Sequence, residues 1–286
     1  MQIPGPAPVV VAVNGSAAGL AAARLGAREA VARGLPLRVL HAFAWPGTRY
    51  TDDPPDYPSA RHDAGQTVRE AVATAARTVP GVRVEGRLID GQPVRELVRQ
   101  SRTAALLVLG DEGLAASRWL PPDSVLVQVV AHARCPVLVA RGVRPPAGPL
   151  LAAVDGSASS VLALRLAADE ARRRQVGLEV AHVVGDAAQA AAGQRLIEQV
   201  VGHLPTPFPV RSQVLVGEPA PTLVRASRRA RMMVVGPRGT DSGMLLGAVA
   251  SELLCRCACP TVFVHGTPAG RHPVDGTVPS VGALIS

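Results

Sequence analysis

Asn14-Gly15-Ser16 and Asp155-Gly156-Ser157 each close a short apolar run with a hydrogen-bonding side chain, a glycine and a hydroxyl. Gly110-Asp111-Glu112-Gly113 and Gly236-Pro237-Arg238-Gly239 close two further apolar runs with paired glycines. A glycine loop lets backbone N–H groups approach an anion closely, and a helix that follows adds the positive end of its dipole. The chemistry such segments suit is the holding of a phosphate-bearing ligand, not the breaking of a bond.

Other reactive residue types read as structural. Cys255, Cys257 and Cys259 form a C-x-C-x-C run. Residues two apart on a helix do not share a face, so three metal ligands there are not expected to converge. His41 and His182 fall at matching places in two apolar runs and read as structural ring hydrogen bonds. Asp52, Asp53 and Asp56 lie among Pro54, Pro55 and Pro58, which describes a solvated loop. The sequence contains no G-x-x-x-x-G-K-[ST] loop, no H-E-x-x-H and no G-x-S-x-G. It also contains no lysine, so every basic side chain is Arg. No nucleophile has a base beside it in sequence, and the expectation is a protein that is not a dedicated enzyme, with slow ATP hydrolysis left open.

These segments need a scaffold, and the pattern supplies one. Residues 9–13 are a buried-type strand feeding an Ala-rich helix over 17–33, with Ser16 as N-cap. Strands follow at 37–43, 82–89, 106–109 and 136–140. Helices are expected at 60–78, 93–101, opened by Pro93, and 124–131. Alternating strands and helices predict a doubly wound parallel α/β sheet, with ligands outside the carboxyl ends of the strands.

The whole pattern occurs twice. An offset of 141 carries 9–16 onto 150–157 and His41 onto His182; Gly91-Gln92-Pro93 meets Gly217-Glu218-Pro219 at an offset of 126. Cys135-Pro136-Val137-Leu138-Val139 meets Cys259-Pro260-Thr261-Val262-Phe263 at 124. The second copy is therefore shorter after its second strand, and by two more residues after its glycine loop. The expected partition is a first domain over 1–142, a Pro/Gly-rich linker over 143–149, a second domain over 150–265 and a loose tail over 266–286. The strands at 136–140 and 260–264 are expected to lie side by side across a pseudo-twofold axis, each covering the other's edge.

The ordered landmarks Asp155-Gly156-Ser157, His182-Val183, Gly236 with Gly239, and the two Cys-Pro strands resemble the universal stress protein family, over nearly all of residues 8–265. The resemblance implies a tandem of Rossmann-like domains packed as an intramolecular pseudo-dimer. In ATP-binding members, loop glycines and a Gly-Ser pair hold phosphates and ribose, while the first strand and the residue after the second-strand His flank adenine. Carried across, this implies a site in the second repeat at Ala153, Asp155, Val183, Gly236, Arg238, Gly239, Gly247 and Val249. The first repeat offers Ala12, Asn14, Ala42, Gly110, Gly113, Ser124 and Val125. Both copies depart from the pattern. Asn14 replaces Asp and Asp123 replaces the third Gly in the first. Ala248 replaces Ser in the second, its loop is two residues shorter, and Pro237 lacks an N–H donor. The second repeat is favoured because the first-repeat loop carries Asp111, Glu112 and Asp123 with Arg118 as its only nearby cation in sequence.

Composition limits the alternatives. The chain has 286 residues, 48% of them hydrophobic, 2% aromatic, and a net charge of +8. The Arg clusters at 172–174 and 228–231 have no interleaved aromatics to stack bases, so they read as solvated helix faces and no nucleic acid is expected. No run reads as a signal peptide or a membrane span, and four Cys without a signal suit a reducing compartment, so the expected location is the cytoplasm. Two functional expectations stand. One is a stress-associated regulatory protein that binds ATP or a related adenine nucleotide, with no metal motif. The other is a scaffold for an unnamed protein partner, with degenerate nucleotide sites. An adenylating enzyme is a weaker third, since its motifs are missing. Assembly beyond the fused pair is left open.

Overall fold

The computed structural model describes residues 6–45, 56–111, 121–142, 147–204, 209–238 and 245–265. The first repeat runs β1 (Val9–Ala12), α1 (Ala17–Arg33), β2 (Leu37–Phe43), α2 (Tyr57–Thr78), β3 (Val84–Asp90), α3 (Pro93–Gln100), β4 (Leu106–Leu109), α4 (Val125–His132) and β5 (Val137–Val139). The second runs β6 (Leu150–Ala153), α5 (Ala158–Arg174), β7 (Leu178–Val184), α6 (Ala190–Val201), β8 (Val210–Val216), α7 (Pro219–Ser227), β9 (Met232–Val235), α8 (Ala248–Arg256) and β10 (Thr261–Phe263). Helix α2 has 22 residues and its counterpart α6 has 12, which is where the second copy is shorter.

All ten strands join one sheet in the order β3-β2-β1-β4-β5-β10-β9-β6-β7-β8. Within each repeat every pairing is parallel. The one antiparallel pairing among the described residues is β5 with β10, in the register Val137↔Phe263, Leu138↔Val262 and Val139↔Thr261. That is the expected side-by-side placement of the last strands. It converts two would-be edges into the middle of a continuous sheet, leaving β3 and β8 outermost. The strand order reverses at β1 and again at β6, so each repeat has a crevice beyond the ends of β1 and β4, or of β6 and β9.

Side chains alternate across the pleat and build two cores. Val9 and Val11 join one face with Leu138, Leu164 and Val262. Val10 joins the other with Leu107, Val139, Met233 and Phe263. Each core draws on both repeats. With few aromatics, close approach replaces bulk: fully buried Ala22, Ala23, Ala27 and Ala30 let α1 lie near the sheet.

Two expectations need correction. The Arg cluster at 172–174 is not simply solvated. The Arg174 side chain is 12% exposed and lies between α5 and α1, bonding Glu29 at 2.5 Å. Arg33 reaches back to Glu170 at 2.6 Å. Glu29 and Arg33 are the 141-offset equivalents of Glu170 and Arg174, so the quartet has the symmetry of the pair. The cluster at 228–231 does not sit on a helix, because α7 ends at Ser227. Of the linker, 143–146 lies outside the described residues, as does the tail at 266–286. At 148–149 the chain runs close to the segment after α7: a Cβ on Gly148 would overlap the Arg229 carbonyl, and Arg231 N–H donates to Pro149 O at 2.9 Å. No helix among the described residues is long and apolar enough to cross a membrane.

Candidate functional site

In the second repeat, β6 hands over to α5 through Asp155-Gly156-Ser157. Gly156 has φ +82°, a conformation that favours glycine. Asp155 Oδ1 accepts from Ser157 N–H at 2.9 Å, and Ser157 Oγ accepts from Ser160 N–H at 3.2 Å as the helix cap. His182 Nδ1 lies 2.8 Å from Val154 O. A carbonyl only accepts, so Nδ1 carries the proton and the ring ties β7 to the turn after β6. Gly236 ends β9. A Cβ there would meet Ser159 Oγ at 2.5 Å and Ser159 Cβ at 3.0 Å, so glycine is needed for the approach of α5. Ser159 Oγ donates to Arg238 O at 2.7 Å and fixes the start of the loop. Gly247 N–H donates to Pro237 O at 3.0 Å, tying the loop's two ends together.

These segments surround a cavity of about 330 Å³. Ala153, Val183, Leu223 and Val249 supply apolar wall, and Asp155, Gly236, Arg238 and Gly247 line it as well. Gly239 lies outside the described residues. Gly247 caps α8 without a side-chain bond, so the helix begins with open backbone donors where the cavity wall passes Ala248, Val249 and Ala250.

The first repeat builds the same turn with different chemistry. Gly15 also has φ +82°, and Asn14 Oδ1 accepts from Ser16 N–H at 3.2 Å and Ser16 Oγ at 2.6 Å. His41 Nδ1 donates to Val13 O at 2.7 Å. Its cavity is about 170 Å³, with Ala12, Asn14, Ala42, Gly110 and Val125 in the wall. Ser124 caps α4 instead, accepting from Val127 N–H at 3.2 Å, which occupies one of the donors left open in α8. Gly113, Glu112 and Arg118 lie outside the described residues. The charge expectation for this loop needs correction. Arg141, 30 residues further on, pairs with Asp111 at 3.2 Å. Arg118 is therefore not the only nearby cation.

Sequence reasoning also missed Ser159, whose counterpart is Ala18. A hydroxyl in one copy and none in the other was the available signal. The Cys run behaves differently from expectation at one point. Helix α8 ends at Arg256, and Cys257 is already extended (φ −59°, ψ 134°), so Cys257 and Cys259 Sγ come within 3.8 Å. Cys255 stays on the helix, all four Cys are buried and unpaired by disulfides, and among the described residues no three ligands gather. Burial pushes the Cys135 thiol up to about 12. The hydrogen bond with Cys257, and burial after it, likewise raise Cys259.

Against known proteins, the sequence profile of the universal stress protein family matches residues 7–141 and 147–265. A universal stress protein of Mycobacterium tuberculosis is 34% identical over 288 residues, covering 90% of this chain and 96% of the relative. A second from that organism is 30% identical over 294 residues with the same coverage. Among solved structures, a universal stress protein from Archaeoglobus fulgidus superposes with a TM-score of 0.70 at 19% identity, over 91% of this chain and 98% of that one. That last likeness is one of fold. The doubled profile match and the full-length relatives agree with the doubled turns, crevices and last strands, and the chain belongs to the universal stress protein family as a tandem of two such domains.

Proposed function

We propose that the second repeat binds ATP or a related adenine nucleotide, and that the chain is a nucleotide-responsive regulatory protein of the cytoplasm rather than an enzyme. The observation that carries this is the difference between the two crevices. Small-molecule sites occupy about 300–1,000 Å³. The second-repeat cavity, about 330 Å³, falls in that range, while the first, about 170 Å³, falls below it. The larger cavity also has the right division of surface. Ala153, Val183 and Val249 offer apolar area for a base. Asp155 offers an acceptor for a ribose or adenine donor. Arg238 and the uncapped start of α8 offer positive charge for phosphate.

The test is calorimetric titration of ATP into the wild type, Asp155→Ala and Asn14→Ala. Asp155→Ala should weaken binding about tenfold, the loss of one hydrogen bond to a charged group. Asn14→Ala should leave it unchanged. Affinity lost in Asn14→Ala and kept in Asp155→Ala would move the site to the first repeat. A wild type that binds no ATP, ADP or AMP would leave the scaffold reading in its place.

A further inference from the structure

The two repeats meet at two pseudo-equivalent seams, one on each side of the β5–β10 pairing, and the seams differ in charge. At one, Arg141 follows β5, pairs with Asp111 at 3.2 Å and donates to Leu254 O near the end of α8. The neighbouring cation, Arg256, pairs with Glu252 at 2.6 Å. Each cation there has its carboxylate.

At the other seam, the position of Arg141 is taken by His265 and that of Asp111 by Pro237. Here a cavity of about 310 Å³ opens between the repeats, lined by His132 and Arg134 from the first and Ser159, Arg238 and His265 from the second. Among the described residues no carboxylate lines it, and neither Arg134 nor Arg238 forms an ion pair. His265 faces Val130 and Ala131, and both its ring nitrogens are buried without a hydrogen-bond partner. Burial first lowers its affinity for a proton; the Val130 and Ala131 backbone works the other way, and the charges of Arg238 and His132 add to the lowering. Every titratable group in the described wall is therefore a base, and two carry permanent charge.

The C-terminal end of α4 also faces this space, and free carbonyls there would repel an anion. Two of the last four, Val129 O and Ala131 O, are already engaged, and Gln128 O before them carries a side-chain bond. His132 Nδ1–H donates to Gln128 O at 2.8 Å, Ala133 N–H to Val129 O at 2.9 Å, and Arg238 Nη2 to Ala131 O at 3.3 Å. Arg238 also gives its Nε–H to Leu245 O at 3.4 Å, which leaves its Nη1 and the Arg134 guanidinium as the free donors. Against the two remaining carbonyls stand two guanidinium charges without a counter-ion among the described residues, in a concave site that suits a tetrahedral oxyanion. We propose that this seam cavity binds a phosphate group, bridging Arg134 of the first repeat and Arg238 of the second. Arg238 also lines the larger second-repeat crevice, so the phosphate has two sources: free inorganic phosphate, or the distal phosphates of a nucleotide seated next door.

Inorganic phosphate is titrated into the full chain at constant ionic strength, with the ring resonances of His132 and His265 as the readout. The wild type should saturate, and Arg134→Ala, at an exposed position, should weaken binding at least tenfold. Arg256→Ala, at the opposite seam, should change nothing. ATP and AMP are titrated in parallel. ATP binding that weakens in Arg134→Ala while AMP binding does not would identify the nucleotide as the source. The phosphate arm needs no nucleotide site, so it stands or falls apart from the ATP reading. A wild type with no saturable response to phosphate, together with ATP binding unchanged by Arg134→Ala, would overturn the proposal. So would a phosphate response identical in the wild type and Arg134→Ala.

Discussion

The glycines that end β4 and β9 look alike in sequence, yet they are held by different neighbours. Gly236 is confined by the Ser159 side chain, and Gly110 by the Ala18 backbone, whose C and O a Cβ would meet at 2.5 Å. Adding a methyl should therefore destabilise both, by about 1–3 kcal/mol as overpacking does. Trimming the neighbour should separate them. Ser159→Gly removes the two nearest atoms and should recover most of the melting temperature lost in Gly236→Ala. Ala18→Gly leaves the backbone in place and should recover little in Gly110→Ala. Equal recovery in the two double variants, measured by thermal melts, would contradict this. The residue scale is also where the sequence was least legible. The glycines announced a loop, but not that they admit a helix N-terminus. Nor did any spacing rule connect Arg141 with Asp111, because that contact forms only when β4 and β5 pair.

Elements were far more legible than their partners. Apolar runs bounded by Asn-Gly-Ser, Gly-Gln-Pro or Cys-Pro located all five strands of the first repeat to within two residues, since buried parallel strands carry a continuous signal. The junction of α1 with α5 left no such trace. Glu29, Arg33, Glu170 and Arg174 have the spacing of ordinary solvated i,i+4 pairs, and only the meeting of two helices buries them. Burial by itself would raise the Glu29 pKa. Arg33 and Arg174 outweigh it and hold the group below its ordinary 4.5. A carboxyl lowered in this way stabilises the fold fully above its unfolded pKa, and the contribution is lost as pH falls through the folded value. Glu29→Leu alone leaves Arg174 short of a partner and should cost about 3–5 kcal/mol. Adding Arg174→Met should return much of that, and the double variant should lose less stability than the wild type between about pH 5 and 3. Urea midpoints across that range measure both effects. A double variant as unstable as the single one, or an unchanged acid limb, would count against the network.

At the scale of the whole molecule, the repeat could be read from the sequence and its consequence for stability could not. Two copies of a domain suggest two units that unfold one after the other. The architecture argues otherwise. Strand β10 lies between β9 of its own repeat and β5 of the other, so it is central, not peripheral. Leu138, Val262 and Phe263, all within 1% of complete burial, sit in cores that draw on both repeats. Losing either half would expose this apolar centre and take from the other half's helix its ion-pair partners across the junction. Unfolding should accordingly be a single transition, with calorimetric and van't Hoff enthalpies in agreement. Val262→Pro gives the sharper test. It removes a ladder donor from a central strand, where proline is essentially excluded. If the seam couples the repeats, this one change in the second should lower the stability of the first by the same amount, and far-UV and near-UV signals should still fall together at a lower temperature. Two resolved transitions, with the first repeat melting at its original temperature, would mean that β5 does not depend on β10 and that the repeats fold as neighbours, not as one sheet.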